Sequence, residues 1–377
     1  MAEGEQAFDA ASGRLDPAAA YACPDTFARE QHAIFDPAWQ LVGPAEWLAS
    51  PGNYVNTRFG ARPVLLWRGR DGIARVTENL CPGIGGKPLA KAGRGSAFTI
   101  DCACHGWRHT PERLGPGGQL REYRGLLFAS LSTDPPPFPC TGDAFGWHLG
   151  AMLDCIAETV TLAGEQPLEW RVAANWKLAA QQFCGDMARR RLMADDLHEV
   201  LDLPPAWSDP PALQLTTPAG AALLADEPAL PRILTGTLFP NLCIDGFTCS
   251  VHLFNPLDPA LTQVRSFSLV SPAADACERR AALRRMTLLF GPTGFASMAD
   301  ADCWTAATRN AQLAPRPVHL ADAVAMTRNM PGTVFPAESD AGQRAFLGWW
   351  QQQLDCAPAP REQRLRVAAP REASDAL

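Results

Sequence analysis

A chain of 377 residues is long enough for about two domains, and 47% hydrophobic content with 8% aromatics can fill sizeable cores. The formal charge of -7 and a pI near 5.5, with acids and bases interspersed, offer no basic face to a phosphate backbone and no polybasic anchor to a lipid surface, so neither nucleic acid nor membrane is expected as a partner. No apolar run approaches the ~18 residues of a spanning helix, and the start MAEGEQAFDAASG lacks the charged and apolar regions of a leader, so a cytoplasmic protein is expected.

The polar start runs to about Asp16. From Trp39 to about Ser132 the text is short apolar runs, NYVNT, PVLLWRG, IARVTEN and GLLFASL, punctuated by Gly, Pro, Asn and Asp. That is the pattern of a small antiparallel β domain. TDPPPFP then reads as a linker. From Glu169 the sequence is expected to be helical through NWKLAAQQFCGDMARRRLMADDL, whose interior holds no Pro and only Gly185. GTLFPNLCI, FTCSVHLFNP and TQVRSFSLV read as strands, and RRAALRRMTLLF, RPVHLADAVAM and RAFLGWWQQQL as helices around them. The expected fold class is α+β, an all-β module followed by a mixed one, with a loose Ala/Pro/Arg-rich tail.

Twelve cysteines in a reducing compartment are kept as thiols, so a cluster of them points to metal binding or its remnant rather than to disulfides. One cluster spans Cys81-Pro82-Gly83 and, further on, Cys102-Ala103-Cys104-His105-Gly106-Trp107. These loops resemble those of the alpha (large) subunit of Rieske non-haem iron ring-hydroxylating oxygenases, where each of two loops offers one Cys and one His to a [2Fe–2S] cluster. The resemblance puts Gly83 at the first histidine's position, which leaves Cys81, Cys102 and His105 as degenerate cluster positions. Three readings stay open: no bound group, with the surviving residues as packing; zinc at Cys81, Cys102, His105 and either Cys104 or His109; or an altered [2Fe–2S] centre. The first, no cofactor and no metal, is the expectation. Cys104 is expected to point away from the set if the loop keeps the family shape. Lone histidines such as His32, His148 and His252 are expected to be structural.

ANWKLAAQQFCGDMARRRLMADD resembles the same family's iron-binding helix, in which two histidines and a later aspartate hold Fe(II) and leave positions open for O₂. Matched residue by residue, Asn175, Trp176, Lys177, Gly185 and the bridging Asp186 are retained, whereas the histidine positions carry Arg189 and Ala194. FGPTGFASMADADCW places Ala299 at the third ligand and Asp300 at the adjacent acid. Arg189 is expected to pair with Asp186.

The resemblance covers about residues 20 to 355 and implies a Rieske-like β domain at 39–155, a helix-grip catalytic-type domain at 156–355, and residues 1–38 packing on the latter, with 356–377 as a tail. It also implies trimeric assembly and oxygenation of aromatic rings. With both metal sites degenerate, the expected role is a non-catalytic, structural or regulatory alpha-like subunit, a pseudoenzyme within a hetero-oligomeric oxidoreductase complex for aromatic catabolism, partnered by a metal-bearing homologous alpha subunit. An active Rieske oxygenase with unusual ligation and a stand-alone small-molecule binder are the alternatives.

Overall fold

The computed structural model describes residues 6–83, 88–90, 93–114, 117–139, 144–184, 212–218, 220–226, 232–313, 316–328 and 332–356. Phe8–Asp9 (β1) and Arg14–Leu15 (β2) form a small hairpin ahead of two short helices, Pro17–Tyr21 (α1) and Pro24–Glu30 (α2). The Asp16 carboxylate accepts from the amides of Ala18 and Ala19, and Pro17 follows it at the first helical position, so α1 starts where its free amides find an acceptor.

The first β domain holds two sheets. Asn53–Phe59 (β4), Arg62–Arg68 (β5), Ala74–Glu78 (β6) and Arg94–Ser96 (β7) pair in the order β6-β5-β4-β7. Gln40–Pro44 (β3) joins the hairpin of Gln119–Tyr123 (β10) and Leu126–Ser130 (β11). A minimal hairpin, Ile100–Asp101 (β8) with Arg108–His109 (β9), projects beyond them and carries one of the cysteine loops. Phe59 pairs with Arg62 across a two-residue turn in which Gly60 takes a φ of 55°, and a Cβ there would strike the Gln31 side chain at 2.3 Å. The TDPPPFP stretch is packed down on this domain: the Trp39 indole donates to the Pro136 carbonyl at 2.8 Å, and Phe138 meets the rings of Trp39, Tyr123 and Phe128 edge-on.

After the helix Ala144–Asp154 (α3), the second half is built on a nine-stranded antiparallel sheet. Its strands are Thr161–Leu162 (β12), Leu168–Val172 (β13), Ala212–Thr216 (β14), Ala221–Asp226 (β15), Arg232–Leu238 (β16), Leu242–Asp245 (β17), Ser250–Asp258 (β18), Leu261–Val270 (β19) and Thr333–Pro336 (β21). Val318–His319 (β20) lies apart, on β2. Trp176–Gln182 (α4), Ala276–Phe290 (α5), Phe295–Leu313 (α6) and Ala341–Cys356 (α7) complete the chain. β18 and β19 are buried along nearly their whole length because both faces of the sheet are covered. One core, with Trp176, Phe183, Phe254, Phe346 and Trp350, lies under the helices. The other joins Leu213, Leu253 and Phe267 of the sheet to Val64, Leu66 and Phe128 of the first domain, so the two halves share an apolar interior.

Two expectations need correcting. Residues from Glu169 are not yet helical: Leu168–Val172 pairs along β19, and the helix begins only after Asn175 caps it. The alternation of Leu168, Trp170 and Val172 with Glu169 and Arg171 is a strand period that the helix-like composition of the following residues obscures. RPVHLADAVAM forms no helix; it supplies β20 and a bridge from Met326 to Val334. The helix lies earlier, at Phe295–Leu313, within the stretch read for its acids alone.

Candidate metal centre

The two cysteine loops meet at the tip of the first domain. Cys81 and Cys102 are buried, Cys104 is half-buried, and the ligand atoms of Cys81, Cys102, Cys104 and His105 all lie within 4.8 Å of one another. His105 Nδ1 is 3.4 Å from Cys81 Sγ and 4.0 Å from Cys102 Sγ. Local backbone geometry makes this convergence. The Gly106 amide bonds the Cys102 carbonyl at 2.9 Å and the Cys102 amide bonds the Trp107 carbonyl at 3.0 Å, which ties 102–107 into a tight turn closed by Gly106 at φ 69°. The turn brings Cys104 into the group, so the expectation that its side chain points away is corrected. His109 is buried beside Cys102 but outside the convergent four. Trp107 stacks on His105 with centroids 4.5 Å apart.

The thiols do not share one electrostatic setting. Burial pushes Cys81 up to about 11, with the neighbouring thiols of Cys104 and Cys102 adding to the rise. Burial also acts upward on Cys102, yet hydrogen bonding from His109 and from the amides of His105 and Trp107 brings it down to about 5.

Gly83 supplies no side chain, and its missing volume is filled. A Cβ placed there would come 2.5 Å from His105 Cε1 and 2.9 Å from Nδ1, so the His105 ring stands in the space a side chain at 83 would need.

The second constellation is anchored by buried polar contacts. Asn175 caps α4 with its side-chain oxygen, which accepts from the Lys177 amide at 3.1 Å, while its side-chain nitrogen donates to the backbone carbonyls of Tyr21 and Pro259 at 3.0 and 2.9 Å. Lys177 pairs with Glu30 in full burial, and the indoles of Trp176 and Trp350 donate to the same carboxylate at 2.9 and 2.8 Å. At the end of α4, the Gln182 amide donates to Asp300 and accepts from the Trp304 indole. Sequence reasoning missed Glu30 and Gln182, since nothing in their local text distinguishes them.

On α6 the buried positions include Asp300, Trp304 and Thr308, spaced four apart, and Ala299 faces solvent. The inward acid of this segment is therefore Asp300, while Ala299, which the resemblance puts at the third ligand position, faces solvent. Asp186, Arg189 and Ala194 lie outside the described residues, and with them the expected Arg189–Asp186 pair. Beside Gln182 the Phe183 ring packs on His252, Phe254 and Phe290, and Phe254 meets Trp304 edge-on at 5.5 Å. His252 is held between the hydroxyls of Ser250 and Ser266 at 3.0 and 2.8 Å, a structural arrangement, and His32 lies against Asp36 at 3.2 Å. The side chain of His148 is outside the described set.

A small β domain carrying a two-loop Cys/His group, fused to a helix-covered antiparallel sheet, defines the class. Residues 38–120 match the Rieske [2Fe-2S] domain model. The chain is 30% identical over 200 residues to the biphenyl 2,3-dioxygenase subunit alpha of Rhodococcus jostii (strain RHA1), covering 48% of this chain and 43% of that protein. It is 23% identical over 364 residues to the large oxygenase component of the naphthalene 1,2-dioxygenase system of Pseudomonas aeruginosa, covering 76% and 78%. Solved naphthalene 1,2-dioxygenase with indole bound superposes with a TM-score of 0.79 at 19% identity over 93% of this chain and 94% of that one. The alignment to the biphenyl enzyme spans less than half of that relative's length. The chain is therefore similar to the Rieske domain over residues 38–120 and to alpha subunits of aromatic-ring-hydroxylating dioxygenases over a wider span, with the fold of naphthalene 1,2-dioxygenase. No helix among the described residues is long and apolar enough to cross a membrane.

The donor set does not fit the group this family implies. A Rieske cluster needs two thiolates on one iron and two imidazoles on the other. Here Gly83 brings no imidazole from the first loop, the space of a side chain there is filled by the His105 ring, and His109 lies against Cys102 outside the convergent four. The expectation that these loops bind nothing is not supported either, since three thiols and an imidazole converge where mere packing residues need not.

Proposed function

We propose that this chain is a non-catalytic alpha-like subunit of a Rieske-type ring-hydroxylating oxygenase, which assembles with a metal-bearing homologous alpha subunit and serves it structurally or as a regulator. The observation that carries this reading is the pairing of Gly83 with His105, because the Rieske pattern of two imidazoles on one iron then lacks a ligand on the loop that should supply it. The sequence supports it further: the two histidine positions of the iron site hold Arg189 and Ala194, and neither side chain binds Fe(II) at neutral pH. Asp300 remains, but a lone carboxylate does not make a facial triad, and Gln182 already bonds it.

Assembly follows from the electron path of the family. Where the cluster of one subunit serves the iron of its neighbour, a ring mixing this chain with active subunits would break transfer at each junction. A complete catalytic ring stacked on a separate ring of this chain keeps activity and reuses inherited interfaces.

Iron and acid-labile sulfide analysis of anaerobically purified protein, with its visible spectrum, tests the first half. About two irons and two sulfides per chain with Rieske absorption would refute it. Pull-down from the native host followed by native mass measurement tests the second. Recovery with a catalytic alpha homologue is expected; a lone monomer that retains no homologue sinks the partner role.

A further inference from the structure

We propose that the two cysteine loops hold one zinc ion through Cys81, Cys102, Cys104 and His105, a mononuclear Cys₃His site in place of a two-iron cluster. It rests on the reading that no [2Fe–2S] centre forms here.

The geometry separates one ion from two. Four ligands on a single tetrahedral zinc, with Zn–S of about 2.3 Å and Zn–N of about 2.0 Å, stand roughly 3.5–3.8 Å from one another. The measured separations of 3.4 and 4.0 Å from His105 Nδ1 to Cys81 and Cys102 straddle that range, and no pair in the set exceeds 4.8 Å. In a Rieske centre the thiolates and the imidazole sit on opposite irons, with the two bridging sulfides between them. A set this compact leaves no room for that core.

Cys104 is what makes the set complete. Gly83 removes one donor and thereby lets the His105 ring settle against the thiols, while the 102–107 turn delivers a third sulfur from the adjacent residue. Three thiolates and one imidazole in a closed four-coordinate shell match the donor chemistry of structural rather than catalytic zinc. His109 would stand behind the shell, against Cys102. The ion would staple the 81–83 loop to the 102–107 turn, the job a cluster does in the relatives, and its binding energy would be folding energy for the tip of the domain.

The test uses the full chain expressed with both zinc and iron available and purified without oxygen. About one zinc per chain, with no labile sulfide, is the expected result. Replacement by Co(II) should give the visible bands of tetrahedral thiolate-bound cobalt. Cys104→Ser should weaken zinc by more than the roughly 10–100-fold typical of changes behind the ligand shell, whereas His109→Gln should stay within that range. Cys104→Asp, which restores a donor, should recover binding in part and guards against a fold that has simply failed. Protein free of metal, or Cys104→Ser holding zinc as tightly as the parent, overturns the zinc site and leaves the non-catalytic reading standing. Iron with labile sulfide overturns both.

Discussion

The imidazole of His105 occupies the space a side chain at Gly83 would need, with Cε1 only 2.5 Å from the position of the missing Cβ. Restoring the family's histidine by Gly83→His alone should therefore not restore a cluster. The new side chain has to displace His105 from the thiols, an overpacking that costs about 1–3 kcal/mol. The variant is expected to melt lower than the parent and to show no Rieske absorption; a red protein carrying iron and sulfide would show that the loops adapt freely.

Glu30 is the acceptor on which Lys177, Trp176 and Trp350 all converge. Burial holds the Lys177 ammonium below the usual lysine range against the pull of that carboxylate. Glu30→Ala leaves a buried cation and two indole donors without their acceptor and should destabilise by roughly 3–5 kcal/mol. The double variant Glu30→Gln with Lys177→Met should cost less than Glu30→Ala alone. Urea unfolding of the three proteins decides it, and equal losses for the single and double variants would contradict this account.

Gln182 bridges Asp300 on one side and Trp304 on the other, tying α4 to α6. Gln182→Leu keeps the volume but removes both bonds, and is expected to cost about 1–3 kcal/mol in chemical denaturation. Gln182→Glu should also destabilise, because it sets a second carboxylate against Asp300, and that loss should shrink as pH falls toward the carboxyl range. A Gln182→Glu variant as stable as the parent at pH 7 would remove the bridge from the argument.

Tyr21 is buried with its hydroxyl 3.1 Å from the Gln181 side-chain oxygen, and burial pushes its pKa up to about 12. A raised folded pKa gives a contribution that is complete below the ordinary tyrosine value and lost as pH climbs through the folded one. The window is therefore about pH 10 to 12, and the shift corresponds to on the order of 3 kcal/mol. Cys184, also pushed up to about 12 by burial, acts in the same direction from about pH 9 upward. Tyr21→Phe should be less stable than the parent at pH 7 by about 1 kcal/mol, for the lost hydrogen bond. The order should reverse between pH 10 and 12. Midpoints of urea unfolding measured across that range check it; curves that stay parallel speak against a buried phenol.

Much of this protein was legible in residue order alone. The loop texts ENLCPGIGGKPL and CACHGW, with NWK opening a helix, carried the family, and NYVNT, PVLLWRG and TQVRSFSLV appeared as strands because local alternation between Gly and Pro breaks is enough to define them. That Gly83, Arg189 and Ala194 stand where the resemblance would put a ligand can be read from residue order without any fold. Tertiary structure decided what depends on direction in space. Whether Ala299 or Asp300 faces inward is a question of helix phase against a neighbour, and only the packing of α6 on α4 sets that phase. Residue 169 became strand because β19 was there to pair with it. Glu30 found Lys177 across a separation of 147 residues, which no local pattern encodes. Cys104 joined Cys81 because a turn closed by Gly106 rotated it inward while His105 took the room Gly83 left, a coupling between two loops that exists only once both are folded against each other.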